Sequence, residues 1–261
     1  MLKLTESVIN WTKDYFKDNN NGKAIIGISG GKDSTICAAI LKEAIGADRI
    51  IAVMMPNGIQ RDIADSYRVC DYIGIPKENR YVININNAYN GLMNELLREI
   101  YAGSDGNIVD PYFNPMITTN LPARLRMCTL YAVAAIYPNS RVVNTSNASE
   151  RFVGYSTKWG DGAGDFSISA NLTYTEMLTI GDDLLLPEDL VHKKPSDGMS
   201  GSTDEQKLGF SYDEVDKHIC DDNYRSEFTD KIQRMHNMNY HKIAPMPSWT
   251  RCWDLDSYHL Y

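Results

Sequence analysis

KAIIGISGGKDSTICAAIL, residues 23–41, opens as a short β-branched run, turns through Gly30-Gly31 and continues with apolar residues at helical spacing. The pattern predicts a buried strand over 23–28 and a helix over 34–45, closed by Gly46. A glycine-rich turn between strand and helix gathers backbone N–H groups at the positive end of the helix dipole, which favours an anion. Gly30 and Gly31 let the backbone approach a phosphate closely, and Ser29 and Ser34 add hydroxyl donors. The loop is neither G-x-x-x-x-G-K-[ST] nor G-x-G-x-x-G. Asp33 would repel phosphate unless a cation lies between them, and Mg2+ typically takes one or two carboxylates together with phosphate oxygens. The loop therefore points to a nucleotide held as its magnesium complex. Without that context, Ser and Asp are common helix caps and Gly-Gly can be a plain turn.

Outward from the loop, Leu4, Val8, Trp11 and Tyr15 predict an opening amphipathic helix that ends near 20–22. Further strands are expected at 50–55, 81–85 and 141–145, and helices at 62–73, 88–101 and 122–137, with a polar loop at 103–107. Strand and helix alternate, the pattern of an α/β fold with a doubly wound parallel sheet flanked by helices. Ligands of such sheets bind beyond the carboxyl ends of the strands. The polar clusters at 29–34, 55–62 and 145–150 fall at those ends. After Glu150, a Gly- and acid-rich run (154–165) and a Gly/Ser/Pro run (193–206) read as functional loops among helices at 172–184, 212–220 and 223–235. There is no repeat and no linker between two cores, so 1–261 is expected to form a single domain.

The chain has 261 residues and a formal net charge of -8. No Lys/Arg-rich run stands out, which argues against a nucleic-acid partner. The 5 cysteines are scattered without a C-x-x-C pair, so neither a disulfide framework nor a zinc site is expected. No segment approaches the ~18 apolar residues of a membrane span, and the first residues lack a signal-like apolar core. A soluble, cytoplasmic protein without a membrane partner is expected.

SGGKDS (29–34) resembles the signature of the ATP pyrophosphatases, which split ATP between its α and β phosphates and adenylate a substrate. MPNGIQRD (55–62), PARLRMCTLYAVA (122–134), NTSNASERFVGYSTKWGDGAGDF (144–166), PSDGMSGSTDEQKLGFSYDEVD (195–216) and HKIAPMP (241–247) follow in order. Together they are similar to the ammonia-dependent NAD synthetases, and the resemblance spans nearly the whole chain. It implies an adenine nucleotide alpha hydrolase-like fold and a C–N-forming ligase of NAD biosynthesis. Such an enzyme adenylates the nicotinate carboxylate of deamido-NAD with ATP, and ammonia then displaces AMP to give NAD. For ATP the resemblance implies Gly27, Ile28, Ser29, Gly30, Gly31, Lys32, Asp33, Ser34, Thr145 and Thr203, the last in a loop that closes over the phosphates. It implies Asp33 and Glu150 as Mg2+ ligands, and Arg124, Lys158, Asp165, His241 and Lys242 around deamido-NAD. Asp33, Glu150, Asp165 and Lys158 then carry the catalytic roles. It also implies a homodimer, for which the opening helix and the aromatic-rich 250–261 offer apolar surface.

Two positions depart from the family pattern. Tyr174, in LTYT, stands where a lysine usually contacts ATP, and GDFSIS (164–169) has Ile168 where a proline is usual. Other readings predict different sequences. A GMP synthetase core would bring a glutaminase domain, for which the chain is too short, so the nitrogen donor is free ammonia or ammonia from a separate partner. A tRNA-modifying relative would bring a basic surface and often paired cysteines. A nucleotide sensor without turnover would keep the phosphate loop but would not need Glu150, Asp165 and the closing loop together.

Overall fold

The computed structural model describes residues 1–60, 62–101, 109–193 and 203–249. The expected polar loop at 103–107, most of the 193–206 run and the 250–261 stretch lie outside the described residues. The opening helix is α1 (Lys3–Asp18). Five strands follow through the chain: β1 (Ala24–Gly27), β2 (Ile50–Met54), β3 (Arg80–Val82), β4 (Arg141–Asn144) and β5 (Phe166–Ser167). They form one sheet in the order β3-β2-β1-β4-β5, with every neighbouring pair parallel. Parallel strands need crossovers, and α2 (Lys32–Ile45), α3 (Ile63–Ile73), α4 (Asn86–Leu96) and α5 (Pro115–Ala134) supply them.

The β-branched runs of β1 and β2 are buried because both faces of the sheet are covered. Ala24 and Ile26 of β1, with Ile50, Ala52 and Met54 of β2, pack into a core with α1 through Phe16 and α2 through Ile36 and Ile40. Ile25, Ile51 and Val53 point the other way, against Met127, Leu130 and Val133 of α5. The period of two along each strand thus divides one apolar run between two cores. A third cluster joins α6 (Ala148–Val153), α10 (Tyr212–Cys220) and α11 (Thr229–Asn239) through Val153, Tyr212, Val215 and Ile232. The short helices α7 (Tyr174–Asp183), α8 (Glu188–Val191) and α9 (Asp204–Leu208) complete the order. No helix among the described residues is long and apolar enough to cross a membrane.

Two helices start well away from their expected positions. α5 starts at Pro115 rather than 122, because Asn114 caps it by accepting from the Met116 N–H and proline is preset for the first helical turn. Pro122 is therefore a buried interior residue of that helix. α11 starts at Thr229 rather than 223, since Asp221 and Thr229 side chains tie Asn223 and Ser226 into turns. α6 and the two-residue β5 were not anticipated at all.

Candidate active site

The strand order reverses between β1 and β4, so the crevice at the carboxyl ends of these two strands is the topological switch point where such sheets bind ligands. The 29–34 loop leaves β1 there, and the 145–150 segment leaves β4. Gly30 has φ +79°, and a Cβ on it would sit 2.8 Å from Asp65 Cβ and 3.0 Å from the Ser66 nitrogen. Only glycine suits both the left-handed backbone and this approach to α3. Within the loop, Gly31 N–H donates to Ser29 Oγ at 3.1 Å, and Ser34 Oγ donates to the Gly31 carbonyl at 3.0 Å. Ile28 N–H continues the ladder to the Val53 carbonyl at 3.0 Å, which holds Gly27 and Ile28 in line with the sheet. Gly31 caps α2 without any side-chain hydrogen bond. The first-turn N–H groups of α2 have no intrahelical acceptor, so they are donors for a ligand.

Asp33 and Glu150 come from opposite sides of the switch point, and Asn147 joins them. Its Nδ2 donates to Asp33 Oδ1 at 3.1 Å. Its Oδ1 accepts from the Glu150 N–H at 2.9 Å, and its own N–H donates to Glu150 Oε2 at 3.2 Å, a complete capping box for α6. Burial, then the nearby Asp33 charge, push the Glu150 carboxyl up to about 8. Lys32, only 3% exposed, places Nζ 2.6 Å from Asp33 Oδ2. Burial alone would lower the Lys32 pKa, but the Asp33 and Glu150 carboxylates outweigh it and the net shift is upward. No group of three or more His, Cys, Asp and Glu that could hold a metal ion occurs among the described residues. Two carboxylates held together against their own repulsion do suit Mg2+, which takes few protein ligands and fills its shell with water and phosphate oxygens.

The residues expected around the second substrate divide. Arg124 Nε donates to the Lys158 carbonyl at 3.2 Å, and Lys158 Nζ to the His241 carbonyl at 2.6 Å, so these three are brought together. Lys242 Nζ donates to the carbonyls of Gly154 and Ser156 at 2.7 and 3.0 Å. Burial lowers the Lys242 pKa, and Asp161 partly offsets it. Asp165 lies elsewhere. Its carboxylate accepts from the Val142 N–H at 2.7 Å and the Tyr131 hydroxyl at 3.1 Å, level with the second residue of β4 rather than with its end. Thr145 follows β4 directly and is half-buried. Thr203 caps α9, accepting from the Gln206 N–H at 3.2 Å.

Three residues at this edge were not singled out by sequence. Asp161 opens to solvent, yet its carboxyl is crowded by protein atoms, and that desolvation raises its pKa. Its carboxylate accepts from the Thr157 N–H at 2.9 Å, and its charge acts on both Glu150 and Lys242. Arg126, facing Asp161, donates from Nε to the Met55 carbonyl at the end of β2 at 3.0 Å. Asn147 is fully buried. Its signal was legible, since N-x-x-E directly after a strand is a capping box.

A family model described as NAD synthase matches residues 4–251. The chain belongs to the NAD synthase family. Within that family, the NH(3)-dependent NAD(+) synthetase of Thermococcus sibiricus is 35% identical over 250 residues, covering 94% of this chain and 91% of that protein. The NH(3)-dependent NAD(+) synthetase of Carboxydothermus hydrogenoformans is 31% identical over 240 residues, 91% and 93% of the two chains. The solved structure of the NMN synthetase from Francisella tularensis matches with a TM-score of 0.76 at 30% identity, covering 94% of this chain and 97% of that one. The expected α/β fold is thus the fold of this NAD synthase.

Proposed function

We propose that this NAD synthase amidates the nicotinate carboxylate of deamido-NAD with ammonia, using ATP and releasing AMP and pyrophosphate. The observation that carries the reading is the match over more than nine-tenths of the chain to an NH(3)-dependent NAD(+) synthetase. The geometry supports it: an uncapped phosphate loop opens beside two carboxylates joined by Asn147. A carboxylate is inert to ammonia because oxide is a poor leaving group. One of its oxygens therefore attacks the α-phosphorus of ATP, and the α–β phosphoanhydride bond breaks with pyrophosphate taking the electron pair. Ammonia then adds to the acyl carbon, the bond to AMP breaks, and the nitrogen loses its extra proton.

In this reading Gly27, Ile28 and the 29–34 loop orient the phosphates, with Thr145 and Thr203 at the edges of the ATP site. Asp33 and Glu150 would hold Mg2+, which when bound neutralises charge on the departing pyrophosphate. Arg124, Lys158, His241 and Lys242 meet phosphate or carboxylate charge on deamido-NAD. Asp165 keeps lone pairs beyond its two hydrogen bonds for ribose hydroxyls. Asp161, whose carboxyl pKa is raised by desolvation, would take the proton that the nitrogen loses. The protein acts as a single-domain cytoplasmic homodimer, an assembly state that sedimentation of the purified protein measures.

Incubation with deamido-NAD, ammonium, ATP and Mg2+ should yield NAD and AMP in equal amounts; absence of both overturns the reading. The 30% identity to an NMN synthetase favours one further reading, in which the acceptor is nicotinate mononucleotide. Supplying both acceptors at equal concentration and separating the products decides between them.

A further inference from the structure

Lys32 sits at the first helical position of α2, inside the phosphate loop, yet it is almost completely buried. An ammonium is a strongly hydrated point charge on a flexible stem, so burying it demands partners on several sides. Asp33 is one, at 2.6 Å. The others are aromatic. Lys32 Nζ lies 4.7 Å from the ring centroid of Tyr174 and 6.0 Å from that of Tyr212. The two rings stack on each other at 5.1 Å with only 10° between their planes. Tyr212 is fully buried, and its hydroxyl has no hydrogen-bond partner among the described residues.

This layering is fixed from outside. The Tyr174 N–H donates to Ser149 Oγ at 2.9 Å, and Ser149 in turn donates to Asp216. Asp216 also accepts from the Thr175 N–H at 2.8 Å and its hydroxyl at 2.6 Å. The start of α7 is therefore tied to α6, which carries Glu150, and to α10, which carries Tyr212 and Asp216. The backbone that carries the Tyr174 ring is thereby anchored to the helix that carries Glu150.

A lysine so close to Asp33 poses a problem for the ATP reaction, because the ammonium occupies the carboxylate that a cation would need. We propose that Tyr174 is a positioning residue for Lys32, with Tyr212 as the layer that supports its ring. The aromatic face holds the ammonium at the mouth of the phosphate loop when it leaves Asp33, so that it meets the ATP polyphosphate and frees Asp33. Position 174 then contributes a ring face, and the cation over that face, Lys32, contributes the charge. The proposal rests on the ATP-dependent reading above.

Steady-state kinetics of the full-length protein with Mg2+ would compare Tyr174→Phe, Tyr174→Leu, Lys32→Met and the Leu/Met double variant. Tyr174→Phe keeps the ring and should keep both kcat and the KM for ATP within about two-fold. Tyr174→Leu should raise the KM for ATP about ten-fold, the scale of a desolvated cation–π contact, and leave the KM for the pyridine nucleotide unchanged. In the Lys32→Met background, Tyr174→Leu should add nothing. Effects that multiply in the double variant overturn the proposal, as does a Phe variant as impaired as Leu. So does a Leu variant whose kinetics match the parent. Titration of Mg-ATP into the same proteins gives the coupling without turnover. A parent protein that binds ATP but makes no NAD therefore refutes the amidation reading while still testing this one. If Tyr174→Leu does not fold, Tyr174→Met takes its place, alone and in the Lys32→Met background, with the same outcomes deciding.

Discussion

Asn147→Ser separates two tasks that one buried side chain performs. The amide oxygen accepts from the Glu150 N–H at 2.9 Å, and the amide nitrogen donates to Asp33 Oδ1 at 3.1 Å. Serine is as good an N-cap as asparagine, but its hydroxyl is too short to fill both places. The Ser variant should therefore keep the cap of α6 and lose the strut between the carboxylates. A hydrogen bond to a charged group contributes about 1.5–3 kcal/mol, or roughly 10- to 100-fold in a rate that depends on it. Loss of an outer group that orients a metal ligand independently costs about 10- to 100-fold. The two estimates agree, so kcat should fall by that factor and the Mg2+ concentration for half-maximal rate should rise. Asn147→Ala loses the cap as well, about 1 kcal/mol, and should melt about 2–4 °C below the Ser variant. Initial rates across a Mg2+ series, with thermal melts of each protein, measure both effects. A Ser variant with parental kcat and Mg2+ dependence would mean the strut does not position the pair.

Asp33→Asn should lower kcat about 10²- to 10³-fold through lost charge stabilisation. It should also lower the melting temperature, because the buried Lys32 ammonium loses its closest counter-charge; a rate unchanged by this substitution would make Asp33 a mere helix cap. Glu150, held at about 8, keeps a proton in the folded metal-free protein that the unfolded chain releases above the ordinary carboxylate range. Stability of the metal-free protein should accordingly fall as pH rises from about 5 to 8, and Glu150→Gln should abolish that slope in thermal melts. Mg2+ favours the ionised carboxylate and should flatten the same trend; melting temperatures with equal slopes in the presence and absence of Mg2+ would exclude the metal role. Gly30→Ala places a side chain at φ +79° and 2.8 Å from Asp65 Cβ. It should cost at least the ~1–2 kcal/mol of a left-handed backbone, read by urea unfolding, and raise the KM for ATP.

The parts of the fold that sequence reached are those whose cause is local. The 23–41 stretch carries its own strand, turn and helix signals, and α10 appears over the very residues predicted, 212–220. β5 is different: two residues after a glycine-rich run become a strand only because Val143 and Asn144 offer an edge to pair with. No periodicity exists over two residues, so nothing in the sequence could mark it. Pro122 misled for a related reason. Proline usually begins helices, but Pro115 already starts this one and Pro122 is tolerated inside it.

The site follows the same division. Asp33 was legible because an acid in a phosphate loop is a contradiction that demands a cation, and the contradiction lies within six residues of sequence. What surrounds the loop was not legible, since Asn147 reaches Asp33 from 114 residues away and Tyr174 and Tyr212 reach Lys32 from further still. The two acids of GDGAGD show the limit most clearly. They stand four residues apart, and composition cannot rank them. Asp165 spends its carboxylate on the Val142 N–H and Tyr131, holding the flank of β4. Asp161 accepts from the Thr157 N–H at 2.9 Å, and its charge is felt by both Glu150 and Lys242. Which of two neighbouring acids stands near other charges is decided by what the rest of the chain brings to each. The sequence therefore names the chemistry of this cleft, while the residues that aim it emerge only when strands 1 and 4 are set side by side.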